Sequence, residues 1–406
     1  MPFTFSIFDV LILIGVTQGF VIAGLIWYNK KNSTSKLLLS FLLVAFNLLC
    51  IKILIHTTGL WQQPSLRYLP LAVELAIAPL IWLYVSSLVS TGFRLTRKHL
   101  VHFLPFFIFF AYALFIYIMV LPEQELVIKD NRANRFSFNA VKEAEDYLTI
   151  IAAVLYGVAG LKLVLQYRNW LYNNVAATDA PTYTWLRNVA ILMAVLILGL
   201  TVATILDYFL DFGAQHFFHW QLFFGYLALL IYYLGFRGYQ LPDKKIRPDN
   251  ISYPLNESSL EEPGLLIPVL PADTAPSPTD PGKEMGLPDE KRQEAKAAIL
   301  AAFETTEIYL DPELSLQKLA RSVNMPPAIV SAVINSSFQK SFRNLVNDYR
   351  VEKVKKCMKE GRVTDFSLLG IAYECGFNSE ASFYRIFKVA TGSSPKAYLK
   401  QLQQSQ

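Results

Sequence analysis

The sequence predicts an all-α protein in which a seven-transmembrane-helix bundle is followed by a disordered linker and a C-terminal domain with a double helix-turn-helix. Hydrophobic residues make up 53% of the 406 residues, and the mean hydropathy is positive at +0.33, outside the range typical of soluble proteins. Charged residues number 27 in 1–240 and 42 in 241–406. This change in composition, with a proline-rich stretch after it, predicts domains at 1–240, 241–288 and 289–406.

Apolar stretches of about 20 residues recur through the first domain, and each can cross about 30 Å of hydrocarbon as an α-helix. We expect the first to be a span and not a signal peptide, because nothing basic precedes it and no small-residue cleavage site follows it. Seven spans place the chain ends on opposite sides of the membrane. The stretches lie at roughly 6–28, 37–56, 68–89, 100–120, 147–167, 186–209 and 219–238.

Lysine and arginine are unevenly distributed between the two sides of these spans. With the N-terminus outside, the inner segments carry twelve of these residues and the outer segments carry five. Cytoplasmic flanks hold the excess of positive charge in membrane proteins. We therefore predict a multi-pass protein of a bacterial inner membrane, embedded in the lipid bilayer, with its N-terminus outside and its C-terminal domain in the cytoplasm.

Two ionisable residues lie inside predicted spans near the outer surface, Lys52 in the second span and Glu74 in the third. A charge at mid-membrane costs at least about 2.5–3.5 kcal/mol, so such residues usually have a partner or a function. One interpretation is a structural ion pair, or a lysine that reaches the interface. The other is the polar floor of an outward-open pocket for a small-molecule or envelope signal. We predict no metal site and no cofactor.

The linker is rich in proline and acidic residues. Residues 241–290 contain ten prolines, ten acidic residues and four basic residues. Such a segment cannot bury a core, so we expect a disordered spacer that reaches on the order of 40 Å as a random coil. A disordered tether transmits rigid-body motion poorly, so we expect signalling either through a homodimer or through proteolytic release within the linker.

An internal repeat of 52 residues is present in the third domain. Ala320 and Asn324 of the first copy correspond to Ala372 and Gly376 of the second. A small residue lets two helices cross closely, and a residue that tolerates positive φ makes the turn between them. Each copy therefore predicts a helix-turn-helix, and an apolar stripe between the copies predicts a long linking helix that ends at Gly361.

The charge of this region favours a nucleic-acid partner. From Ser315 to the end of the chain there are 14 basic and 6 acidic residues, a net charge of +8. A positive surface of this kind is what a phosphate backbone attracts.

The segment SLLGIAYECGFNSEASFYRIFKVATGSSPKAYLK, residues 367–400, resembles the second helix-turn-helix of the AraC/XylS family of bacterial transcription regulators. The segment SLQKLARSVNMPPAIVSAVINSSFQKSFRNLVNDYRVEKVKK, residues 315–356, is similar to the first more loosely. The resemblance covers about 290–402, a little over a quarter of the chain. Seven spans followed by such a domain also resemble a class of membrane-tethered one-component regulators.

The resemblance implies a cytoplasmic DNA-binding domain whose two recognition helices enter successive major grooves of double-stranded promoter DNA, about 34 Å apart. Arg385 is the expected guanine contact, with a solvated or phosphate-pairing arginine as the alternative. The first recognition helix has no long donor at the aligned positions, which leaves open whether it reads bases. The expected base-facing residues are Glu380, Ala381, Tyr384, Arg385, Pro327, Ala328, Ser331 and Ala332, and the expected phosphate contacts are Lys340, Arg343, Lys388 and Lys396.

The leading hypothesis is a membrane-bound one-component transcription regulator that senses an unknown signal and, if it is an activator, contacts RNA polymerase. We predict that the protein is not an enzyme, because the sequence has no phosphate-binding glycine loop and no hydrolase or kinase signature. One alternative is a small-molecule transporter with a regulatory DNA-binding tail. Another is a regulator whose spans are a passive anchor.

Overall fold

The described chain divides into two compact units. The first unit comprises residues up to 165 together with 182–241, and the second comprises 166–176, residue 181 and the chain from 288 onward. The predicted linker 241–288 lies outside the described residues except for its two end residues. The computed structural model describes residues 5–29, 33–90, 93–176, 181–210, 218–241, 288–364 and 366–404, without the side chains of Tyr208, Leu210 and Thr364.

The first unit is built from α-helices joined by turns. Within the described residues, six of its helices are long and apolar enough to cross a membrane, whereas α3 is shorter and α5 is polar. The helices are α1 (Ile7–Tyr28), α2 (Thr34–Thr57), α3 (Glu74–Val89), α4 (Arg97–Val120), α5 (Leu126–Arg135), α6 (Phe138–Asn174), α7 (Pro181–Leu210) and α8 (Phe218–Gln240).

The third predicted span is shorter than the sequence pattern indicated. The apolar stretch 68–89 is helical only from Glu74 to Val89, which is 16 residues. Tyr68 has a positive φ of 67°, and Pro70 follows it. Proline has no N–H to donate and disfavours helical geometry in the residue before it, so the helix begins only after this point. At 1.5 Å per residue α3 is about 24 Å long.

Large apolar side chains cover the outside of the first unit. Ile7 on α1 is 83% exposed, Leu198 on α7 is 64% exposed and Leu229 on α8 is 70% exposed. A soluble protein rarely leaves an apolar surface of this extent in water. The surface therefore has the chemistry of one that contacts hydrocarbon.

The interior of this unit is apolar and closely packed where α1, α2 and α8 meet. Leu43, Phe46 and Ile231 are fully buried there. At Gly235 on α8, a Cβ atom would lie 2.7 Å from the Cγ2 atom of Ile22 on α1. The absence of a side chain lets the two helices approach, as small residues do at helix contacts in membranes.

The second unit contains the predicted DNA-binding domain. A one-turn 3₁₀ segment, Ile308–Leu310, joins its first two helices. The helices are α9 (Asp289–Glu304), α10 (Leu316–Ser322), α11 (Pro327–Ser337), α12 (Phe342–Lys359), α13 (Leu368–Glu374), α14 (Glu380–Thr391) and α15 (Pro395–Gln404).

The last residues of α6 and the two that follow belong to this second unit. Val175 forms an antiparallel bridge with Ser315, and the N–H of Ala176 donates to the carbonyl of Leu314 at 3.1 Å. Ala176 is fully buried in the same apolar core as Leu314 and Ile299. The core of the first helix-turn-helix is therefore completed by residues that precede the linker in the chain.

The two predicted helix-turn-helix units are confirmed and share one backbone plan. Asn324 has φ 52° and Gly376 has φ 89°, so both turn residues adopt the left-handed conformation that the repeat indicated. Each first helix is capped by a serine, Ser315 for α10 and Ser367 for α13, whose hydroxyl accepts from a backbone N–H three residues later.

The linking helix α12 joins the two helix-turn-helix motifs and carries a buried arginine. Arg350 is 1% exposed and donates to the carbonyls of Tyr309 at 2.8 Å and Asp311 at 2.7 Å. Burial lowers the pKa of Arg350 to about 10, so the guanidinium stays charged at neutral pH. The helix ends at Lys359, and Gly361 follows with φ 75°, as predicted.

Candidate nucleic-acid interface

The second recognition helix, α14, has one buried face and one exposed face. The Ser379 hydroxyl accepts from the N–H of Ser382 at 3.3 Å and begins the helix. Phe383 and Phe387 are fully buried and attach the helix to α12 and α13. The exposed face carries the predicted Glu380, Ala381 and Arg385, and Tyr384 is half-buried at its edge.

The first recognition helix, α11, is attached in the same way by Val330 and Ile334, both of which are buried. Pro327 stands in its first turn, where a missing N–H costs no hydrogen bond. Of the predicted base-facing residues, Pro327 and Ala328 are exposed, whereas Ser331 and Ala332 are half-buried.

Two exposed residues extend these faces beyond the predicted set. Asn335 lies on α11 four residues after Ser331, and Val389 lies on α14 four residues after Arg385, with 81% of its surface exposed. Residues four apart share one face of a helix. Extending each aligned face by one more turn would have identified both residues. An asparagine amide can pair with adenine, and an apolar side chain can contact the thymine methyl group.

Two of the predicted phosphate contacts lie on the open surface and one is paired. Lys388 and Lys396 are exposed, as a phosphate contact requires. Lys340 is exposed but donates to the Asp348 carboxylate at 2.5 Å. Such a surface ion pair is weak, and a phosphate can displace the carboxylate.

Arg343 differs from the other predicted phosphate contacts because it is 7% exposed. Its guanidinium donates to the carbonyls of Val175 at 3.1 Å and Leu171 at 3.4 Å, and it lies 4.6 Å from the centre of the Tyr172 ring. These carbonyls lie at the C-terminal end of α6, where a positive charge is favourable. In this structure Arg343 holds residues 171–175, and a contact with phosphate would require it to leave them.

The predicted pair Lys52 and Glu74 lies in the first unit, at a cavity of about 690 Å³. The Lys52 ammonium forms an ion pair with the Glu74 carboxylate, which also accepts from Lys142 at 3.3 Å. Both interpretations of the sequence are compatible with this arrangement, because the residues pair with each other and also line the cavity. Lys142, which sequence reasoning did not select, joins them from the beginning of α6.

Comparison with known proteins identifies a domain in the second unit. Residues 319–401 match a family model described as a helix-turn-helix domain. Uncharacterized HTH-type transcriptional regulators of Staphylococcus aureus strains MSSA476 and N315 are 33% identical to this chain over 92 residues. The match covers 23% of this chain and 12% of each relative, so the chain spans about an eighth of their length. No solved structure matches the chain. The C-terminal region of the chain is a helix-turn-helix domain of the AraC type.

Proposed function

We propose that this protein is a membrane-bound transcription regulator whose helical first unit senses a signal and whose C-terminal domain binds promoter DNA sequence-specifically. One observation carries the proposal: two equivalent helix-turn-helix units are fixed to one linking helix, with the polar faces of α11 and α14 exposed. The proposed activity consists of binding and involves no covalent chemistry. Its partners are double-stranded promoter DNA, the lipid bilayer and, for an activator, RNA polymerase.

On DNA, α11 and α14 enter successive major grooves about 34 Å apart. Arg385 donates to guanine, and Glu380, Ala381 and Tyr384 face neighbouring bases. In the first helix-turn-helix Pro327, Ala328, Ser331 and Ala332 supply apolar and short polar contacts, and Asn335 supplies the amide they lack. Phosphates are held by Lys388, Lys396 and Lys340.

The membrane part of the proposal is supported by helix length, surface chemistry and charge distribution. In the part of the chain that the structure describes, six helices are long and apolar enough to cross a bilayer, and large apolar side chains cover the outside of the first unit. The excess of lysine and arginine in alternate segments favours an inner-membrane protein with the N-terminus outside and the DNA-binding domain in the cytoplasm. Reporter fusions at the two chain ends, active only outside or only inside, test this orientation.

The DNA-binding part is tested on the full-length protein in nanodiscs, because the core of the first helix-turn-helix includes Ala176. Selection from a random duplex library should enrich a site with two halves separated by about one helical turn. Affinity for that site should fall steeply as salt rises, because phosphate contacts release counterions. Equal affinity for the selected site and for random duplex at moderate salt would contradict sequence-specific regulation.

The cavity in the first unit favours a second candidate function, which is transport of a small molecule. Its volume of about 690 Å³ is in the range of small-molecule sites. Uptake assays in proteoliposomes separate the two functions. Substrate flux with no change in transcription of any gene would support transport, whereas a ligand-dependent change in DNA affinity without flux supports sensing.

A further inference from the structure

The cavity of the first unit has one polar end and one apolar end. Lys52 lies near the end of α2, Glu74 and Lys142 lie near the beginnings of α3 and α6, and Asp207 and Trp220 lie near the end of α7 and the beginning of α8. All of these positions are at the helix ends that are predicted to face outside. The walls further along the same helices are apolar and include Phe46, Ile81, Ala153, Leu196, Phe224 and Leu227.

A second, smaller cavity of about 230 Å³ shares Lys52, His56 and Lys142 with the large one. It is lined by the aromatic residues Tyr112 and Phe138, among others, and by Glu145. An occupant of the two cavities would therefore place a small group beside Lys142 and a larger apolar body between the helices. A molecule with a small polar head group and a larger apolar body is an amphiphile.

Among the residues that the structure describes, two carboxylate oxygens beside Lys142 at the polar end have no hydrogen-bond partner, and both are acceptors. Glu145 is 95% buried at its side chain, and one of its oxygens, Oε1, has no hydrogen-bond partner among the residues that the structure describes. Within the same described part, the Oε2 atom of Glu74 is also without a partner. A buried oxygen without a donor is costly, so this site favours an occupant that brings N–H or O–H groups.

The charge of the polar end favours a cation over an anion. The two lysines are already engaged, because Lys142 lies 3.3 Å from Glu74, 2.8 Å from Glu145 and 3.0 Å from Asp146, and Lys52 pairs with Glu74. Among the described residues, the acidic side chains at the two cavities are Glu74, Glu143, Glu145, Asp146 and Asp207, five against these two lysines, a net charge of −3 before histidine protonation. Arg67, beside Tyr68, is paired with Asp130 at 2.5 Å.

We propose that these joined cavities bind an amphiphile with an amine head group, held by Glu145 and Glu74, and with an apolar body between α2, α3, α6, α7 and α8. The proposal rests on the sensing function proposed above and names the chemical class of the signal. The ammonium donates to the two carboxylate oxygens and reduces the excess of negative charge. A fatty acid of the same length would add a negative charge instead.

The test uses full-length protein in phosphatidylcholine nanodiscs, titrated with dodecylamine, dodecanol and dodecanoate. Trp220 lines the large cavity, so its emission reports occupancy there, and the Trp220→Phe variant should lose that part of the signal. Dodecylamine should bind saturably, with a Kd about tenfold or more below that of dodecanol. Dodecanoate binding as tightly as dodecylamine, or an unsaturable response equal to that of empty nanodiscs, would overturn the amine site.

A variant pair gives a second measurement. Glu145→Gln removes the charge that faces the head group and should raise the Kd of dodecylamine about tenfold. Glu125→Gln is the matched control, because Glu125 precedes α5 and lines neither cavity, so its Kd should stay within about twofold. If Glu145→Gln fails to fold by circular dichroism, the comparison of the three probes on the native protein still decides the proposal.

DNA titration in the same nanodiscs separates this proposal from the proposed function. Dodecylamine binding that shifts DNA affinity supports both. Saturable binding with no effect on DNA affinity leaves the amine site standing and contradicts sensing through it. DNA binding that is intact while dodecylamine fails to bind overturns the amine site alone.

Discussion

The turns of the two helix-turn-helix units have equivalent backbone hydrogen bonds in different surroundings. In the first unit the N–H of Met325 donates to the carbonyl of Ala320 at 2.9 Å, and in the second the N–H of Phe377 donates to that of Ala372 at 3.1 Å. Asn324 makes the first turn at the exposed surface, whereas Gly376 makes the second in the interior. A shared backbone plan therefore places very different demands on the two turn residues.

The difference arises from the segment around Tyr309. A Cβ atom at Gly376 would lie 2.7 Å from the carbonyl oxygen of Tyr309 and 2.9 Å from both the carbonyl oxygen of Leu310 and the Nε atom of Arg350. The second helix-turn-helix thus packs tightly against the 3₁₀ segment and the linking helix. The first helix-turn-helix packs instead against residues 171–176, which Arg343 holds in place. Each unit is stabilised by a different part of the chain.

Gly376→Ala should give the largest effect. The new methyl group meets the carbonyl oxygens of Tyr309 and Leu310, and the alanine must adopt φ 89°. The second helix-turn-helix should therefore lose about 3 kcal/mol of unfolding free energy. Hydrogen exchange of the α13 and α14 amides in the full-length protein measures this loss. The matched change in the first unit, Asn324→Gly, should alter exchange of α10 and α11 by less than about 1 kcal/mol. Equal effects in the two units would contradict the difference in packing.

Arg350→Met should come next. It leaves the buried carbonyl of Tyr309 and the partly buried carbonyl of Asp311 without their donor, which costs about 2–3 kcal/mol of unfolding free energy. Lys356→Met on the same helix is the control, because the Lys356 side chain is 69% exposed and should cost under about 0.5 kcal/mol. Hydrogen exchange across both units measures the result. A loss confined to the first unit would show that Arg350 does not join the second one.

Arg385→Ala separates the two recognition helices. If Arg385 reads guanine, the variant should lose about 1–3 kcal/mol of binding free energy at one base pair of the selected site and should tolerate any base there. Ser331→Ala, at a half-buried position of α11, should change affinity by less than about 0.5 kcal/mol. Titration with single-base variants of the site measures both. A uniform loss on all sequences would assign Arg385 to a phosphate.

Much of this comparison could be predicted from the sequence, because its signals are local. Asn324 and Gly376 mark turns through backbone freedom, and the serines that cap the first helices lie three residues from the amides they bind. The partners of Arg343 could not be predicted, because it lies 168 residues from Val175. The sequence indicated a pocket at Lys52 and Glu74 as one of two interpretations, but not its extent or its other walls, because the cavity exists only when five helices pack together. The predicted start of the third span, residue 68, was wrong because a hydropathy pattern takes no account of the effect of Pro70 on helix geometry.

Salt dependence gives a smaller effect, which tests whether Arg343 stays bound to residues 171–175 when DNA binds. Lys388→Ala removes an exposed cation from α14 and should lower the slope of log affinity against log salt by about 1. Arg343→Ala should leave that slope unchanged while residues 171–175 hold the guanidinium. A slope lowered by about 1 in Arg343→Ala would mean that Arg343 moves to phosphate when DNA binds.

The smallest effect concerns pH and the second unit. The hydrogen bond from Lys353, at 2.6 Å, lowers the pKa of Glu307. Because this pKa is depressed in the folded state, the stabilisation is present above about pH 4.3 and is lost as pH falls through the folded value. The two side chains are 25% and 37% exposed, so solvent screens the pair and we expect a contribution of under about 1 kcal/mol. In Glu307→Gln the unfolding free energy measured by hydrogen exchange should fall less between pH 5 and 3, by the contribution of about one carboxylate. An unchanged acid profile would assign the dependence to other carboxylates.

The bridge between Val175 and Ser315 also affects the order in which the chain folds on the ribosome. The segment that completes the first helix-turn-helix is synthesised long before its partner, since Val175 and Arg343 are 168 residues apart. At about 5–20 residues per second this interval is on the order of 10 s. The second unit closes through contacts that are nearer in sequence, such as Arg350 with Tyr309, 41 residues apart. The second helix-turn-helix, which is translated last, therefore depends least on segments made earlier. The first helix-turn-helix can complete its core only by contacting a segment that was synthesised well before it.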